Sequence, residues 1–87
     1  MTAPITVVLI EDESPMRRFL RAAFGTQSMT LIEAPTAREG LAQVAGRRPD
    51  LVLLDLGSPD MDGLDVVRRI REWSTVPIIV LSARGRE

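Results

Sequence analysis

At 87 residues the chain has room for one domain with a modest core, and its 45% hydrophobic and 26% charged content fits an ordinary globular fold rather than a disordered one. A net charge of −1 leaves no global field to hold nucleic acid, and the absence of cysteine and histidine removes disulfides, thiolate chemistry, the usual general base and the usual nitrogen ligand. Oxygen donors remain for any chemistry. The longest apolar stretches are strand-sized and the amino terminus has no charged-then-apolar signal pattern, so a cytoplasmic chain that neither enters a membrane nor binds DNA by itself is expected.

The elements follow one another with little linker. Ile5 to Ile10 is rich in β-branched residues and nearly continuous in hydrophobicity, as in a strand covered on both faces. Ser14 followed by Pro15 reads as an N-cap with proline at the first helical position, and Met16, Phe19, Leu20, Ala23 and Phe24 repeat at helical spacing up to Gly25. Arg17, Arg18 and Arg21 fall on what reads as the solvated face of that helix. Met29 to Ala34 is a second strand. Thr36-Ala37-Arg38-Glu39 is a capping box opening a helix that carries Leu41, Val44 and Ala45 and is expected to stop at Gly46. Leu51 to Asp55 is the third strand. After a loop rich in Gly, Pro and Asp, Asp62 caps a third helix bearing Leu64, Val67, Ile70 and Trp73, with Asp65–Arg69 and Arg68–Glu72 supporting its outer face. Pro77 introduces a fourth strand, Ile78 to Ser82. Such alternation predicts an α/β fold with a parallel sheet, right-handed crossovers and helices on the sheet faces.

Two strands end in acids: Glu11-Asp12 after the first and Asp55 at the end of the third. Ligands of open α/β sheets bind outside the carboxyl ends of the strands, where gathered carboxylates repel one another unless a cation holds them. These hard oxygens suit Mg²⁺. With the ion in place a carboxylate can attack a phosphoryl group. Asp55 is the better nucleophile because it stands alone, whereas Glu11 and Asp12 read as metal binders. Ser82, at the end of the fourth strand, is placed to donate a hydrogen bond to a phosphoryl oxygen.

Val8-Leu9-Ile10-Glu11-Asp12-Glu13, Leu53-Leu54-Asp55-Leu56-Gly57-Ser58-Pro59-Asp60-Met61-Asp62-Gly63 and Val76-Pro77-Ile78-Ile79-Val80-Leu81-Ser82-Ala83 resemble, in order and at the proper separations, the receiver domain of two-component response regulators, the CheY-like fold. Phe19-Leu20-Arg21, Pro49-Asp50-Leu51, Asp55-Leu56-Gly57 and Arg71-Glu72-Trp73-Ser74 look more like the regulators of potassium-transport operons within the OmpR-like subfamily. The resemblance implies a partial doubly wound sheet of order 2-1-3-4. It implies Asp55 as phosphoacceptor, Mg²⁺ held by Glu11, Asp12, Asp55 and the carbonyl of Gly57, and Ser82 as switch hydroxyl. A sensor histidine kinase acting in trans would be the donor.

The family pattern continues past Ser82 with a helix, a fifth strand bearing a lysine, and a last helix. All 11 basic residues here are arginines, and Arg84 or Arg86 is a poor substitute for that lysine. The resemblance thus describes residues 1–87 as a receiver truncated after its fourth strand, whose exposed strand edge favours a homodimer or a swapped oligomer. Two other functions stay open beside the phosphoacceptor: a phosphorylation-impaired interaction module that self-associates, and an aspartyl-nucleophile hydrolase. The hydrolase would want a second acid where Gly57 stands. Ser58, Asp60, Asp62 and Gly63 mimic the start of an EF-hand loop, but Arg69 occupies the position of its bidentate glutamate. No enzymatic turnover is expected.

Overall fold

The computed structural model describes residues 4–25 and 28–82. Among them the elements run β1 (Ile5–Ile10), α1 (Ser14–Phe24), β2 (Met29–Ala34), α2 (Ala37–Arg47), β3 (Leu51–Asp55), α3 (Gly63–Arg71) and β4 (Ile78–Ser82). The four strands form one parallel sheet of order β2-β1-β3-β4. The parallel sheet is the one expected from the alternation of strand and helix patterns, and its order is the one that the resemblance implies.

Successive residues on a strand face opposite sides, and the core divides accordingly. Val8, Ile10, Val52 and Leu54 point to the face covered by α2 and α3, where they meet Ala37, Val44, Val66 and Ile70. Val7, Leu9 and Leu53 point to the other face and pack with Leu20 and Phe24 of α1. Each fully buried Val, Leu or Ile contributes about 1.5–3 kcal/mol by leaving water. The central strands β1 and β3 therefore carry most of the core, and their ends are held firmly.

Local details depart from the sequence-based expectations in instructive ways. The N-cap of α1 is Glu13, in extended conformation and without a side-chain cap; Ser14 is already helical, and its Oγ accepts from Arg18 Nη1 at 3.2 Å. Helix α2 passes through Gly46 and ends at Arg48, which adopts the left-handed conformation (φ 48°). A following proline disfavours right-handed helical geometry in the residue before it, so Pro49, not Gly46, accounts for the stop. In α3, Asp65 is met by Arg68 at 2.8 Å, three residues on, where Arg69 was expected. Leu64 and Trp73 lie outside the core, 45% and 51% exposed, while Gly63, Val66 and Ile70 face the sheet. Phe19 of α1 is likewise 67% exposed.

Candidate metal and phosphoacceptor site

Strands β1 and β3 pair with Leu9 beside Leu53 and Ile10 beside Leu54, so the next residues, Glu11 and Asp55, emerge together at the carboxyl edge of the sheet. Carboxylate oxygens of Glu11, Asp12 and Asp55 all lie within 4.8 Å of one another. Glu11 and Asp55 are almost wholly buried, and Asp12 is more open to solvent. Hard oxygen donors converging at this spacing, two of them withdrawn from water, fit a small divalent cation such as Mg²⁺.

The local turns hold these acids in place. Glu11 Oε2 accepts from the backbone N–H of Glu13 at 3.0 Å, and Asp55 Oδ1 accepts from that of Gly57 at 3.2 Å. Each carboxylate is thus oriented by the chain that follows it. The Gly57 hydrogen bond keeps that residue beside Asp55, where its carbonyl was expected as a further ligand. The pairing of β3 with β4 slips between Leu54 and Asp55, from Leu54–Val80 to Asp55–Ser82. Bulges often sit beside functional sites because they re-aim one residue. Here the irregularity sets Ser82, not Leu81, in register with Asp55; the Ser82 side chain, like Arg84 and Arg86, lies outside the described residues.

Two arginines read as solvated prove to be structural. Arg17 Nη1 donates to the carbonyl oxygen of Glu11 at 2.9 Å, and its Nε lies 3.6 Å from Glu33 Oε1. Arg21 donates to both oxygens of Glu33 on β2. The spacing of Arg17 and Arg21, one turn apart, was a usable signal, but their acceptor lies on another element.

Asp60, which in the sequence stands out only within an EF-hand-like run, ties the loop after β3 to the start of α2. Its Oδ1 accepts from Ser58 Oγ at 2.8 Å and from the Ala37 N–H at 2.9 Å, and its Oδ2 accepts from the Arg38 N–H at 3.0 Å. Burial acts to raise its pKa, but the hydrogen bonds from Ala37, Arg38 and Ser58 outweigh it and hold the carboxyl below its usual range. No local motif announces an acceptor for a helix that begins more than twenty residues earlier.

A parallel sheet of this order with an acid triad at the carboxyl ends of its central strands defines the class: the chain belongs to the response regulator receiver domain family, which matches residues 7–87. Among its relatives, the KDP operon transcriptional regulatory protein KdpE of Escherichia coli K12 is 52% identical over 81 residues, covering 93% of this chain and 36% of that protein. The transcriptional regulatory protein KdpE of Mycobacterium tuberculosis H37Rv is 45% identical over 78 residues, covering 90% and 34%. The chain spans about a third of the length of these curated relatives. Among solved structures, the BeF3-activated receiver domain of Klebsiella pneumoniae RstA superposes with a TM-score of 0.84 at 29% identity, over 90% of this chain and 67% of that one. The chemotaxis response regulator CheY4 of Vibrio cholerae reaches 0.87 at 24% identity, over 94% and 71%, a likeness of fold.

Proposed function

We propose that this chain is the phosphoacceptor module of a two-component relay, in which Asp55 takes a phosphoryl group from a histidine of a sensor kinase. The observation that carries the proposal is the convergence of Glu11, Asp12 and Asp55 within 4.8 Å across two adjacent strands. Glu11, Asp12 and Asp55, with the carbonyl of Gly57, would hold Mg²⁺. When bound, the ion supplies positive charge that offsets the repulsion between an incoming phosphoryl group and the carboxylates. Asp55 presents an oxygen for in-line attack; the new phosphorus–oxygen bond forms as the phosphorus–nitrogen bond to the donor breaks, and the electron pair leaves with the imidazole. Ser82, in register with Asp55, donates its hydroxyl to a phosphoryl oxygen. The likeness to regulators of the KDP operon supports a role in potassium-responsive transcriptional control.

Incubating the chain with acetyl phosphate and Mg²⁺ and measuring intact mass tests this reading. One added phosphoryl group is expected, lost in Asp55→Asn and in the presence of a chelator. An adduct that survives Asp55→Asn overturns the assignment of the acceptor. Steady turnover of phosphate esters would favour the hydrolase instead.

Self-association through β4 forms part of this proposal. Among the described residues β4 ends the sheet order, with Ile79 and Val80 51% and 48% exposed, so its edge is open to a further strand, here proposed to come from a second copy of residues 1–87. A monomeric mass by light scattering at high micromolar concentration would remove it. The net charge of −1 supports the expectation that these residues do not bind DNA by themselves.

A further inference from the structure

We infer that Asp60 is a positioning residue for the acid site: it clamps the loop carrying Gly57 to the amino end of α2, and so sets the spacing between donors that come from two different strands. The inference rests on the metal site proposed above.

The hydrogen bonds form a nearly continuous circuit around the pocket. From Glu11 the backbone N–H donates to the carbonyl of Ala34 at the end of β2, at 3.1 Å. Three residues on, Ala37 and Arg38 open α2 and donate to Asp60 at 2.9 and 3.0 Å. Asp60 accepts from Ser58 at 2.8 Å, Ser58 is bonded to Gly57 along the chain, and Gly57 donates to Asp55 at 3.2 Å. Asp60 is the link in this circuit that joins the β3–α3 loop to α2.

Helix α2 is a rigid base for such a clamp. A Cβ at Gly40 would overlap the side chain of Ile10, the residue just before Glu11, so the helix sits directly on the end of β1. The N–H groups of its first three residues have side-chain acceptors: Ala37 and Arg38 on Asp60, and Glu39 on Thr36 Oγ1 at 3.1 Å; the helix's own ladder begins with Gly40 on the Thr36 carbonyl at 3.0 Å. Thr36 by itself is an ordinary cap. Asp60 does something further, because it reaches the helix from the loop that follows Asp55, and its negative charge meets the positive end of the helix dipole. The far side of the loop is pinned separately, where Asp62 Oδ1 accepts from Leu64 at 2.9 Å. Gly57 itself lies between its own hydrogen bond to Asp55 and the Asp60 clamp, which leaves it little freedom to move relative to Glu11.

The test compares Asp60→Ala with Thr36→Ala, which removes a cap from the same helix and leaves the loop tie intact. Asp60→Asn keeps one acceptor oxygen and should fall between wild type and Asp60→Ala. Mg²⁺ affinity is read by isothermal titration calorimetry, and exchange of the Gly57 amide proton is read by NMR in the metal-free chain. Loss of a group that supports metal ligands costs about tenfold or more in affinity. That loss, with faster Gly57 exchange, is expected for Asp60→Ala, whereas Thr36→Ala should lower thermal stability and leave both readouts at the wild-type level. If Asp60→Ala matches Thr36→Ala in affinity and exchange, Asp60 is only a helix cap and the inference is overturned. If the wild-type chain takes up no Mg²⁺, the metal reading fails and the inference fails with it.

Discussion

Arg21 grips Glu33 with two parallel hydrogen bonds, Nε to Oε2 at 2.6 Å and Nη2 to Oε1 at 2.7 Å, and thereby ties α1 to the edge strand β2. This helix has no fully buried residue, so its attachment depends on Leu20, Phe24 and this pair more than on a deep apolar stripe. The bidentate geometry is the form of ion pair that holds best at a surface.

The pair has a pH signature. The hydrogen bond from Arg21 is the main reason that Glu33 titrates below the usual glutamate range; burial opposes it, and the charges of Arg21 and Arg17 add to it. Between its folded value and the ordinary one the unfolded chain binds more protons, so stability is full above the ordinary value and is lost as pH falls through the folded one. Asp60 contributes in the same direction. Urea unfolding followed across the acid range should show stability falling with pH, and Glu33→Gln should flatten the slope. Because Arg21 is largely exposed, added salt should shrink the difference between the two proteins.

Two glycines of helices should respond to alanine with opposite sign. A Cβ at Gly46 meets nothing within 4 Å, so Gly46→Ala should stabilise α2 by about 0.5–1 kcal/mol through lost chain entropy. A Cβ at Gly63 would stand 2.6 Å from the Leu56 Cα, and that backbone follows directly on Asp55. Gly63→Ala should therefore destabilise by about 1–3 kcal/mol, as overpacking does. Equilibrium denaturation of both variants checks the pair, and two changes of the same sign would contradict the close approach of Gly63 to Leu56.

Metal-free, the acid cluster holds like charges together in a site largely hidden from water. Asp55→Asn removes one charge while leaving an oxygen to accept from Gly57, so in a chelator it should be more stable than wild type. Mg²⁺ should reverse the order. At a hundredfold excess over its Kd, a ligand confined to the folded state adds about 2.7 kcal/mol. Thermal unfolding with and without Mg²⁺ should show that gain in wild type and little of it in Asp55→Asn.

The element pattern was legible because it rests on local physics. β-Branched runs such as Ile5–Ile10, the capping box at Thr36 and proline beside Ser14 act on their own neighbours, and a strand that ends in acids brings them to the ligand-binding edge of any parallel sheet. Hence Glu11, Asp12 and Asp55 could be singled out from one line of letters. Helical spacing alone could not say which apolar residues meet the core: Leu64 and Phe19 keep the period yet stay exposed among the described residues. Nor could it find the partners of Arg17, Arg21 and Asp60. Glu33, Ala37 and Arg38 lie on other elements, and they become neighbours of these side chains only once β1, β2 and β3 are aligned in register and α2 is seated on Ile10. Short-range preferences chose the pieces and their order. Packing across the sheet chose which polar groups would be buried together, because a hydrogen bond or ion pair depends on distance in space, whatever the separation along the chain.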